Sequence, residues 1–73
     1  MPDFKPGRYW HFKGKAYTAI CLVRSANTQE WMVLYHPENK PRHRWVRTLT
    51  DWNAEVRDAI TGEPCRRFEW KSA

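Results

Sequence analysis

Along this 73-residue chain the apolar positions come mostly in short alternating bursts, the pattern of strands and not of long helices. Arg8 to Phe12 is expected to form a short strand that sends Tyr9 and His11 to one side, with Lys13 keeping that parity, and Trp10 and Phe12 to the other. Gly14 closes it. Lys15 to Val23 is the strongest strand in the sequence, dense in β-branched and apolar residues and free of Pro and Gly. Its two faces, Tyr17, Ala19, Cys21, Val23 and Ala16, Thr18, Ile20, Leu22, are both apolar, so the strand should be covered on both sides for part of its length. Arg24 to Gln29 is polar and reads as a hairpin loop. Glu30 to His36 returns, with Trp31, Val33 and Tyr35 opposite Met32, Leu34 and His36. Pro37 and Pro41 interrupt the ladder. His43 to Leu49 is the next strand, in which a core-facing Val46 would turn Trp45 and Arg47 outward.

Leu49 to Ile60 fits two descriptions. Leu49, Trp52, Val56 and Ile60 recur at three- and four-residue steps, and Thr50 is a candidate N-cap for a helix there. The Thr61-Gly62-Glu63-Pro64 turn, together with the family resemblance given below, argues instead for one helical turn near Asp51 to Ala54, then a hairpin into Cys65 to Trp70. About five short strands with one helical turn give a mainly β protein, a small SH3-like barrel, with an OB-type barrel as the alternative. Closure would protect the strand edges of so short a chain. Residues 1–6, with donor-lacking Pro2 and Pro6, form an irregular arm, residues 7–70 the barrel and residues 71–73 a tail.

Size makes the aromatics important. A domain this small buries only about 60% of the surface of its unfolded chain, and five Trp, three Tyr and three Phe supply large rings to compensate. No apolar run approaches the roughly 20 residues of a membrane-spanning helix. Met1 to Pro6 lacks the apolar segment of a secretory signal, which makes a cytoplasmic protein with reduced Cys21 and Cys65 the expectation. The oligomeric state is left open.

Charge changes the picture further. The net charge is +5, and it is unevenly spread. Five Lys or Arg residues and no acid lie between Phe4 and Gln29, and four more with His43 and no acid lie between Lys40 and Arg47. Basic domains of this kind commonly meet phosphates.

Candidate chemistry is sparse. His11, His36, His43, Cys21 and Cys65 never fall at the close spacing of a metal site, so neither metal nor cofactor is expected. Cys65 sits beside Arg66 and Arg67, whose charge favours a thiolate, but no base or orienting group can be named for it. Cys21 reads as an inert core thiol. Asp51, Glu55 and Asp58 read as a solvated face, and no catalytic constellation is assigned. Gly7 and Gly14 lack the sequence that follows a phosphate loop. What remains is an aromatic and basic set: His11, Lys13, Lys15, Tyr35, Arg42, Arg44, Trp45 and Arg47. It suits an anionic ligand, nucleic acid or a phosphorylated metabolite, with rings for stacking and guanidinium groups for phosphate. The competing structural reading makes Trp31 and Trp45 core residues and pairs Arg47 with Glu30 or Glu69. A second functional class is a protein-protein adaptor that holds an extended peptide in a groove lined by Trp10, Trp31 and Tyr35.

Four blocks carry a family resemblance. Gly7-x-Tyr9-x-His11-Phe12-Lys13-Gly14-x-x-Tyr17, then Thr28-x-Glu30-x-x-Val33-x-Tyr35, then Trp45-Val46-Arg47, and finally Arg67-Phe68-Glu69 resemble a family of small bacterial and phage domains known as domain of unknown function sixteen fifty-three. The resemblance spans Gly7 to Glu69. It implies an SH3-like barrel in a cytoplasmic bacterial or phage protein, and no established activity. The chain departs from the family at Thr48, where a proline is usual, in the charged stretch with Glu38, Lys40, Arg42 and Arg44, and in a longer hairpin after Trp52.

Overall fold

A computed structural model describes residues 1–73. Four strands, β1 (Gly7–His11), β2 (Lys15–Arg24), β3 (Trp31–Pro37) and β4 (Trp45–Thr48), run as an antiparallel meander. One helical turn, α1 (Leu49–Trp52), follows. A two-stranded hairpin of β5 (Glu55–Arg57) and β6 (Pro64–Arg66) stands apart, and β7 (Phe68–Ser72) returns to pair with β1. The main sheet has the order β4-β3-β2-β1-β7. The protein is therefore mainly β with one helical turn, as the alternation predicts. The order is compatible with an SH3-like arrangement, although its two edge strands, β4 and β7, share no backbone ladder.

Several local expectations are corrected. The helical period from Leu49 to Ile60 is used only through Trp52, because Asn53 caps the turn with its own N–H and Arg67 N–H then bonds Ala54 C=O. Ile60 is 94% exposed at the tip of the β5–β6 loop. Thr48, not Thr50, is the N-cap, its hydroxyl accepting from Asp51 N–H at 3.1 Å. The strand expected at Cys65 to Trp70 is two strands divided at Arg67, and the second continues to Ser72.

A register shift in β2 explains why both of its faces are apolar. Ala19 pairs with Tyr35 but Cys21 pairs with Leu34, so Ile20 is an extra residue and the inward parity changes there. Ala19 is buried, Leu22 packs on the core, and Cys21 lies on the opposite side, only partly buried. The core consists of Tyr9, Ala19, Val33, Tyr35, Trp52 and Phe68. Trp52, delivered by α1, lies flat on Phe68 of β7 at 3.7 Å with an interplanar angle of 4°. Tyr9 and Tyr35 each meet Trp52 edge-on at 5.1 Å. These geometries favour ring quadrupoles and add to the area buried.

In β4 the parity is the reverse of that expected from Val46. Val46 is 51% exposed, and Trp45 pairs with buried Tyr35 across the ladder. Directly opposed residues share a face, so Trp45 and Arg47 lie on the core side of the sheet.

Candidate functional site

The site is built around Tyr17 on β2. Its ring meets Tyr35 at 5.6 Å, Phe68 at 5.8 Å, His11 at 5.9 Å and Trp45 at 6.5 Å. Five strands thus deliver rings to one neighbourhood. Trp45 is its open rim, 46% exposed, beside a groove of about 780 Å³. Trp10, Lys15, Tyr17, Lys40 and His43 also line that groove. Lys40 and His43 come from the prolyl loop between β3 and β4, which Glu38 anchors by donating its N–H to Ala16 C=O.

Cations flank the rings. Arg47 lies 5.6 Å from the Phe68 ring centre, its Nε donates to the Tyr35 hydroxyl at 3.4 Å, and its Nη1 donates to Asp51 at 2.7 Å. Burial alone would pull this guanidinium down; the bonds to Tyr35 and Asp51 outweigh it and hold the group above its ordinary value. Arg67 reaches the second Asp51 oxygen at 3.5 Å, while its buried Nε has no partner. Asp51 is therefore shared by two guanidinium groups. Its position follows from α1, whose capped first turn holds the carboxylate over the end of β4. The competing structural reading had Arg47 pair with Glu30 or Glu69; the partner is Asp51, and Glu69 instead bonds Lys71.

His11 registers this charge. Burial lowers its pKa, and the positive charges of Arg47, Arg67, Lys13 and Lys15 lower it further. Its Nδ1 accepts the Lys13 N–H at 3.2 Å, which a ring protonated at that nitrogen would forfeit.

Of the residues singled out from sequence, His11, Lys13, Lys15, Tyr35, Trp45 and Arg47 converge here. Tyr35 does so from within the core, 5% exposed, so its ring is not an open stacking surface. Arg42 and Arg44 stay exposed on the β3–β4 loop, outside the groove and without an ion pair. Tyr17, Arg67 and Asp51 were missed. Tyr17 and Arg67 are nevertheless residues of the resemblance blocks, and those blocks, far apart in sequence, meet on this face.

Residues 7–70 match the family described as "Protein of unknown function (DUF1653)". The chain belongs to that family. A crystal structure of a DUF1653 protein from Bordetella bronchiseptica is 37% identical, with a TM-score of 0.81 over 94% of this chain and 88% of that one. No curated protein matches the chain. DUF1653 membership supports the fold and assigns no activity. No helix is long and apolar enough to cross a membrane.

Proposed function

We propose that this DUF1653 domain is a non-enzymatic binding module for an anionic ligand with a planar ring, nucleic acid ahead of a phosphorylated metabolite. The observation that carries the reading is the charge imbalance around Tyr17: Arg47, Arg67, Lys13 and Lys15 all act on His11, and one carboxylate, Asp51, is the acid in ion-pair contact with any of them. Trp45 supplies an exposed ring next to that charge, and Trp10, 45% exposed, supplies a second on the groove. Stacking on such rings is worth about 1–3 kcal/mol per base and tolerates any sequence. The groove volume falls in the range of ligand sites, roughly 300–1,000 Å³.

Less supports the adaptor reading at Trp10, Trp31 and Tyr35. Trp31 lies under Arg24 at 4.8 Å and Tyr35 is in the core.

Tryptophan fluorescence titrations with a short single-stranded oligonucleotide, its duplex and a nucleoside diphosphate, each at low and moderate salt, test the proposal. Saturable quenching that weakens with salt, with a log-log slope of about −0.7 per phosphate neutralised on a single strand, is expected. Trp45→Ala should weaken it about tenfold, within the stacking range. No binding of any of the three at low salt would refute the anionic-ligand reading.

A further inference from the structure

The N-terminal arm occupies a second aromatic groove on the molecule, away from the Tyr17 site. The Phe4 ring stacks on Tyr9 at 6.1 Å and 11° and meets Trp52 edge-on at 6.2 Å. The Tyr9 hydroxyl donates to Lys5 C=O at 2.6 Å, and Trp70 Nε1 donates to Pro6 C=O at 3.4 Å. Lys5 Nζ lies 3.9 Å over the Trp70 ring. Burial raises the Tyr9 pKa, which keeps its hydroxyl a donor.

The way the arm is held is distinctive. Residues 1–6 belong to no strand and enter none of the turn, loop or cap backbone bonds. Side chains of β1 and β7 donate to the carbonyls of Lys5 and Pro6, while the Phe4 ring and the Lys5 cation are set against aromatics. That is how an extended, proline-containing peptide is recognised: backbone carbonyls fix its path and side-chain contacts fix its sequence. The arm leaves the sheet at Gly7, whose φ of +138° belongs to glycine; a Cβ there would lie 2.3 Å from Ser72 O. A hollow of about 740 Å³ lies beside the seated arm, lined by residues 3–6 themselves together with Asn53, Arg66 and Trp70.

We infer that this groove is a peptide-recognition site, held in cis by residues 3–6, and that its partner in trans is an extended segment of another protein. That segment carries an aromatic residue, a basic residue and a proline in succession, with an acidic residue ahead of the aromatic to meet Arg66. The cis arm leaves the hollow unfilled, so a longer segment of the same chemistry gains area that the arm does not use and displaces it. The inference is independent of the anionic-ligand reading, since none of these contacts involves Tyr17, Trp45 or Arg47.

The test uses the chain lacking residues 1–6 and a synthetic peptide of residues 1–6, followed by tryptophan fluorescence and melting temperature. Saturable binding that raises the melting temperature of the truncated chain is expected. A Phe4→Ala peptide should bind about tenfold more weakly or worse, the loss of about 1.4 kcal/mol. The intact chain should bind the parent peptide far more weakly than the truncated one, because its own arm competes at high effective concentration. If the truncated chain is unfolded, the full-length Phe4→Ala variant, whose arm is loosened, takes its place. A folded receptor of either kind that ignores millimolar peptide overturns the inference, as does equal binding of the Phe4→Ala peptide. Concentration-dependent dimerisation of the intact chain, abolished by Phe4→Ala, would assign the groove to a second copy and overturn the claim of a foreign partner.

Discussion

At the residue scale the decisive group is Asp51, because it both holds the site together and dilutes its charge. Its carboxylate bridges Arg47 and Arg67. Replacing it by Asn should lower stability by about 1 kcal/mol or less, since the carboxylate is 43% exposed and such pairs are screened. The same change frees two guanidinium groups. Asp51→Asn should therefore bind the oligonucleotide or nucleotide more tightly at low salt, by about fivefold if the released charge is worth about 1 kcal/mol. Weaker binding in a folded variant would mean that the arginines serve only the core. His11 gives the pH dependence. Its folded pKa lies below its unfolded value near 6.5, so the unfolded chain takes the proton more readily. This part of the stability is complete above that value and is lost as pH falls below it toward the folded pKa. Melting curves from pH 7.5 to 5 should show a decline that His11→Gln flattens. A bound anion favours the imidazolium, so affinity should rise over the same acid range in the parent and not in the variant.

At the element scale, what the sequence revealed depended on how many residues voted. Ten-residue β2 was unmistakable as a strand, yet its bulge at Ile20 was hidden, because an extra residue is a property of the pairing with β3 and not of β2 alone. Four-residue β4 offered only the alternation of Trp45, Val46, Arg47 and Thr48, and a single Val was too little to say which parity faces the core. The cross-strand partner Tyr35 decided it. The ambiguity of Leu49 to Ile60 had the same origin: Leu49 and Trp52 do point inward at a helical step, but Ile60 was an accident of spacing. Thr48 stands where the family resemblance implies a proline. Its φ of −59° is the value a proline would impose, and its hydroxyl provides the cap a proline would lack. Thr48→Ala should therefore cost about 1 kcal/mol, seen as a fall of about 4–8 °C in a domain of this size. An unchanged melting temperature would show that α1 is held by Trp52 packing and not by its cap.

At the scale of the whole molecule, the candidate site was half legible. The basic and aromatic residues could be named, but their assembly depended on Tyr17 lying between β1 and β3 and on β7 returning beside β1, neither of which local periodicity encodes. Arg42 and Arg44 were drawn in by charge density alone, and the fold leaves them on a loop. Only four of the 13 Lys and Arg side chains have a carboxylate within 4.0 Å, so the remaining positive charge meets solvent and governs long-range encounter. Charge-neutralising a loop arginine, Arg44→Gln, should therefore slow association with an oligonucleotide at low salt and leave dissociation nearly unchanged, a split that stopped-flow fluorescence resolves.

The absence of a ladder between β4 and β7 has a mechanical consequence. Those margins meet through side chains: Trp52 stacked on Phe68, Arg47 reaching across to Phe68, and Asp51 bridging Arg47 to Arg67. Thermal opening should start along that seam, like a coat unbuttoning at its front while the lining stays whole. Deuterium should enter the amides of β4 and β7 well before those of β2 and β3.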